Sequence, residues 1–174
     1  MTLSWIKSRY TSQEILQIFV YSSFPMHVWT IINMFKDVPS WAIYMKYKEM
    51  IGSVAYTLAL TLFETILIFV PVFLIGLAIP RRWMSDKYIP LVSVLLIEAA
   101  LITIRLQYFI KFDLPKKKLL LACLPILLLS AYFALKKPWV KALMKGISER
   151  MALLSMIYVA FDVLGLLIVI ARNV

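Results

Sequence analysis

The chain has 174 residues, 63% of them hydrophobic, with a mean hydropathy of +0.87 and a formal net charge of +10. Average soluble domains are about 45–50% apolar, so this composition excludes an ordinary water-soluble domain. The bases stand in short segments between apolar runs, where they set topology and attract anionic headgroups, so the charge points to a membrane surface rather than to nucleic acid.

Met1–Tyr10 carries Trp5, Lys7, Arg9 and Tyr10, the pattern of an interfacial anchor. Thr11-Ser12-Gln13-Glu14 fits a capping box, with Thr11 as N-cap, Glu14 reaching back, and Tyr10 stapling onto Ile15. The first span, Ile15–Phe35, contains no Asp, Glu, Lys or Arg. It is too long for a signal peptide, and no small-residue cleavage site follows, so no cleavable leader is expected. Pro25 should kink it, with the freed carbonyl of Tyr21 met by Ser22 or Ser23. Lys36–Glu49, with Trp41, Tyr44 and Tyr47 among its charges, suits a loop or a surface helix at headgroup depth.

The second span, Met50–Ile79, has a single charge, Glu64. At about 1.5 Å per residue it exceeds the roughly 30 Å hydrocarbon core. Ser53, Thr57, Thr61 and Glu64 share one face, and the other spans are expected to gather around it. Pro71 is a bend, and Pro80-Arg81-Arg82-Trp83 a sharp end. A link to about Lys87 makes the second and third spans an antiparallel hairpin. The third span, Tyr88–Ile110, holds Glu98 and, two turns on, Arg105. Lys116, Lys117 and Lys118 lead into a fourth run, Leu119–Leu135, at the lower limit of a span and interrupted by Pro125. Lys136–Arg150 repeats Trp139, Leu143 and Ile147 opposite Lys141, Lys145 and Glu149, which suggests an amphipathic helix lying in the interface. The last span, Met151–Ala171, puts Ser155, Tyr158, Asp162 and Gly165 on one face.

These elements specify an all-α integral membrane protein, one transmembrane domain over residues 1–174. The expected architecture is a bundle of five transmembrane helices with interfacial amphipathic segments. Four spans with Leu119–Leu135 re-entrant is the alternative. The positive-inside rule does not choose five: the bases divide ten against eight with five spans and twelve against six with four. The run of leucines in 119–135 favours five. With four glycines and no GxxxG, helix contacts should use Ala, Ser, Thr and larger side chains. Cys123 is the only cysteine, so no intrachain disulfide forms.

Chemistry, if present, lies with the intramembrane polar residues. Glu64, Glu98 and Asp162 sit mid-span, where each carboxylate is costly unless it faces protein or water. With Arg105, His27, Thr57, Thr61 and Tyr158 they are candidates for a polar core or an ion path, the threonines as hydroxyl relays. The bland alternative neutralises Arg105 with Glu98 or Asp162, and hydrogen-bonds the remaining acids to Tyr158, threonine or His27. Lys116, Lys117, Lys118, Lys136, Lys137, Lys141 and Lys145 are candidates for headgroup binding. No hydrolase, zinc or phosphate-loop motif is present, no second His or Cys stands at metal spacing, and no cofactor is expected.

Three functions fit. The preferred one is a non-enzymatic subunit or accessory factor of a larger membrane complex, partnered by another membrane protein or by its own copies. The second is a small proton- or ion-coupled transporter or channel unit lined by the carboxylates. The third is a membrane enzyme acting on lipid headgroups, with Asp162 or Glu98 at a wet cleft.

Overall fold

A computed structural model describes residues 9–111 and 116–173, and all regular structure among the described residues is helical. Five long helices follow in order: α1 Ser12–Tyr44, α2 Tyr47–Ala78, α3 Ile89–Lys111, α4 Lys116–Lys136 and α5 Pro138–Asn173. Five helical segments are long and apolar enough to cross a membrane. The expected anchor residues Trp5 and Lys7 lie outside the described residues, as do residues 112–115 and the side chain of Lys116.

The N-terminus of α1 forms as its sequence dictates. The Thr11 hydroxyl accepts from the Glu14 amide, and the Thr11 amide donates to Glu14 Oε2 at 2.6 Å. Tyr10 and the partly buried Ile15 then join a cluster with Ile18, Leu77, Met84, Tyr88 and Ile89 that closes this end of the molecule. Burial, then the neighbouring Tyr88 and Glu14, push the Tyr10 phenol well above its ordinary range, so it remains a donor, to the Phe73 carbonyl at 2.8 Å.

Four expectations are corrected here. First, Lys36–Glu49 is neither a loop nor a separate helix. α1 runs through Pro39 to Tyr44, and only Met45 and Lys46 separate it from α2. Second, α1 and not α2 is the central helix. Of the most apolar window of each, 39% is buried in α1 and 11% in α2. α1 packs on α2, α3 and α5, whereas α3 lies along α1 and α4 rather than along α2. The short link therefore does not make α2 and α3 a packed hairpin. An α-turn, Arg81–Trp83, and a π-helical turn, Met84–Tyr88, redirect the chain onto α1.

Third, Lys136–Arg150 is not a separate interfacial helix. α5 is one 36-residue helix from Pro138, with no proline to interrupt it. Its packed stripe is Val140, Met144 and Ser148 with Ile147, while Trp139 and Leu143 are exposed. Val140 and Met144 are claimed by Tyr21 and Ala134, and the Tyr21 hydroxyl donates to the Met144 carbonyl at 2.6 Å. Fourth, Ser22 and Ser23 do not meet the carbonyl freed by Pro25, because their buried hydroxyls have no partner. A helical serine hydroxyl reaches the carbonyl three or four residues before it, so Ser22 and Ser23 address residues 18, 19 and 20 and not Tyr21. The fourth apolar run is one unbroken 21-residue helix through Pro125, about 31 Å long, and not a chain that turns back on itself.

Candidate functional site

Polar side chains collect where α1, α2 and α5 meet. α1 contributes Ser22, Ser23, His27 and Thr30, α2 contributes Thr61 and Thr65, and α5 contributes Ser155 and Asp162, all buried. Spacing explains all but Ser22: residues three, four or seven apart on a helix share a face, and these faces turn inward. Gly165 lets α5 approach α2, since a Cβ there would stand 2.8 Å from Leu58 Cβ and 3.0 Å from the Ala55 carbonyl. This contact sets a glycine against Leu58 and Ala55, where Ala, Ser, Thr and larger side chains were expected.

The centre of the cluster is a pair 135 positions apart in sequence, His27 Nε2 and Asp162 Oδ2, 2.7 Å from one another. His27 Nδ1 is 2.7 Å from the Ser23 carbonyl oxygen. A carbonyl oxygen only accepts, so Nδ1 donates to it. The second contact holds one more hydrogen, on Nε2 or on the carboxyl. Either arrangement leaves the pair neutral overall, which is how a group as buried as Asp162, 0% exposed, is accommodated. The Tyr158 ring stacks on the imidazole, with centroids 5.2 Å apart. Asp162 Oδ1, Ser155 Oγ, Ser23 Oγ and Thr65 Oγ1 are buried with no partner among the described residues.

The threonine stripe on α2 is not a continuous relay. Thr57 and Thr61 each donate to the carbonyl one turn earlier, of Ser53 and Thr57, at 2.9 Å. The Thr61 hydrogen is thereby committed, so across the helix interface Thr30 donates to Thr61 Oγ1 at 2.9 Å.

The three mid-helix acids stand in three different places. Glu64 lines a groove of about 280 Å³ between α1, α2 and α3, with Trp29, Thr103 and Gln107. Glu98 lines another, of about 240 Å³, between α3 and α4, with Arg105 and Cys123, and its Oε2 is buried with no partner. Among the described residues Arg105 forms no ion pair, so neither Glu98 nor Asp162 neutralises it. The candidate lysines are also divided. Lys117 and Lys118 begin α4 at one end of the molecule, while Lys136, Lys137, Lys141 and Lys145 lie at the other, around the α4–α5 junction.

At that second end a charged network ties three segments. Arg81 Nη1 donates to Glu14 Oε2 at 2.6 Å and to the Arg9 carbonyl at 2.7 Å. Lys141 donates to Asp86. Glu14 was legible as a capping residue, but its ion pair with Arg81 was not, because nothing local links residues 67 positions apart. Among the described residues no group of three or more His, Cys, Asp or Glu side chains is placed to hold a metal ion. Comparison with protein-family models, with curated proteins and with solved structures finds no match.

Proposed function

We propose that the chain is a five-span membrane protein that serves as a non-enzymatic subunit or accessory factor of a larger membrane assembly. The observation that carries this reading is the placement of Glu64 and Glu98 in separate grooves between helices on the flanks of α3, with Glu98 Oε2 buried and, among the described residues, without a partner. Acids that lined a common path would share a cavity. Acids held in grooves at the side of a bundle are groups that a neighbouring transmembrane helix, from another protein or a second copy, can satisfy.

The test is site-specific photocrosslinking in native membranes. Benzoylphenylalanine at Leu67, beside Glu64, and at Ile126, beside Glu98, should each yield a discrete heavier adduct, and Leu153, exposed on α5, should not. A monodisperse monomer in native mass spectrometry, fully stable in mild detergent and without adducts at either groove, would refute the reading.

One observation favours a second reading, a proton- or ion-coupled transport unit: the buried oxygens without partners around His27–Asp162. On that reading Asp162→Asn abolishes a flux that the wild-type protein supports in liposomes. Absence of flux in the wild type, or flux unchanged by the substitution, removes it.

A further inference from the structure

One seam of the molecule, between α1, α3 and α5, carries two adjoining hollows of opposite character. At the end where these three helices begin is a cleft of about 240 Å³, lined by Gln13, Gln17, Arg81, Lys141 and Lys145. One turn further along α1 begins an apolar crevice of about 270 Å³, lined by Val20, Phe24, Val28, Ala100, Ile104 and Met151. The polar-to-apolar order holds on two of the three walls. Gln17 gives way to Val20 on α1 and Lys145 to Ile147 on α5, while the α3 wall is apolar throughout, from Ile89 and Pro90 to Ile97. A polar mouth at a helix terminus, followed along the same seam by an apolar slot beyond the Tyr21–Met144 contact, has the profile of a phospholipid.

The charge of the mouth selects the headgroup. Arg81, Lys141 and Lys145 face a single lining carboxylate, Glu14, which is 6% exposed and already held by Arg81 and the Thr11 amide. Lys141 and Lys145 have acid partners of their own, Asp86 and Glu149. These are exposed pairs of the kind that contributes little. A guanidinium has five N–H donors and an ammonium three, so each cation keeps donors beyond its intramolecular partner. We propose that this seam is a binding site for one anionic glycerophospholipid, with its phosphate among Arg81, Lys141 and Lys145 and one acyl chain in the crevice. The apolar continuation is what distinguishes a lipid from a free anion. The proposal rests on the membrane reading of the chain but not on its having a protein partner.

Native mass spectrometry of delipidated protein in mild detergent tests it. Phosphatidylglycerol and phosphatidylcholine of matched chains are titrated separately. One phosphatidylglycerol should bind more tightly than phosphatidylcholine. Lys141→Gln and Lys145→Gln should each weaken it about fivefold, the double variant about thirtyfold, as expected for bases at a charged membrane surface. Ala100→Phe, which fills the crevice, should weaken both lipids. Lys117→Gln with Lys118→Gln, at the opposite end, should leave binding intact, and an unchanged circular dichroism melt shows that each variant is folded. Equal affinity for the two lipids, indifference to the Lys141 and Lys145 substitutions, or inorganic phosphate competing as well as the lipid would overturn the proposal. Chain that stays monodisperse in detergent-free buffer would instead remove the membrane reading beneath it.

Discussion

His27 and Asp162 show how a single contact decides what a buried carboxyl can be. Removing one partner leaves the other buried and unmatched, which in protein interiors costs about 3–5 kcal/mol, whereas replacing both by apolar groups of similar volume is often near neutral. His27→Leu alone should therefore destabilise the protein more than His27→Leu with Asp162→Leu, a non-additivity that steric trapping in bicelles reads directly. Additive losses would mean the pair is not coupled. The two glycines flanked by contrasting space give a second test. Gly165→Val must push into Leu58 and the Ala55 carbonyl and should cost about 1–3 kcal/mol. Gly146→Ala, where a Cβ meets nothing within 4 Å, should stabilise the helix by about 0.5–1 kcal/mol. At this scale the sequence was informative about phase and silent about neighbours. The stripe Ser155, Tyr158, Asp162 and Gly165 could be read from a period of 3.6 residues, and Ser155, Asp162 and Gly165 are buried. That Asp162 meets His27 rather than Arg105 could not be, since periodicity fixes which way a residue faces within its helix and not which helix it faces.

Helix boundaries were legible where local chemistry sets them. The Thr11–Glu14 capping box and Pro80 define real ends, while prolines at 25, 39, 71 and 125 lie inside helices that continue through them. In an apolar surround, breaking a helix exposes backbone groups that nothing else can satisfy, so continuity wins over local breakers. The same pressure joins the basic segment 138–150 to the last span as one helix. Glu14 gives this scale its prediction. It caps α1 and also holds Arg81, which anchors the turn after α2. Thr11→Ala should cost about 1 kcal/mol through the cap alone. Arg81→Gln should cost more than Thr11→Ala, because it leaves a 6%-exposed carboxylate without its cation. Equal losses would show that Arg81 adds nothing beyond the cap. The melts of purified variants in detergent decide this.

On the proposed membrane reading, the distribution of ionisable groups over the whole molecule follows from one solvent. Leu, Ile, Val and Phe are prominent among the exposed side chains along α2, α4 and α5, a surface suited to hydrocarbon rather than to water. Against that surface, Asp162 turns inward onto His27, Glu64 and Glu98 occupy grooves between helices, and the bases cluster at helix ends. The central role of α1 was hidden because mean hydropathy singles out α2 and α5, at 2.5 against 1.4 for α1, and on the membrane reading hydrophobicity marks the lipid-facing helix rather than the core. Centrality instead followed the buried polar face of Ser22, Ser23, His27 and Thr30.

Side-specific thiol labelling of intact cells tests the five-span arrangement most directly. In a Cys123→Ser background, single cysteines replace Lys117, Gly146 and Asn173 in turn. With every long helix crossing the bilayer, Lys117→Cys and Asn173→Cys react from one side and Gly146→Cys from the other. Labelling of positions 117 and 146 from the same side would contradict a transmembrane α4, and with it the account given of every helix that follows.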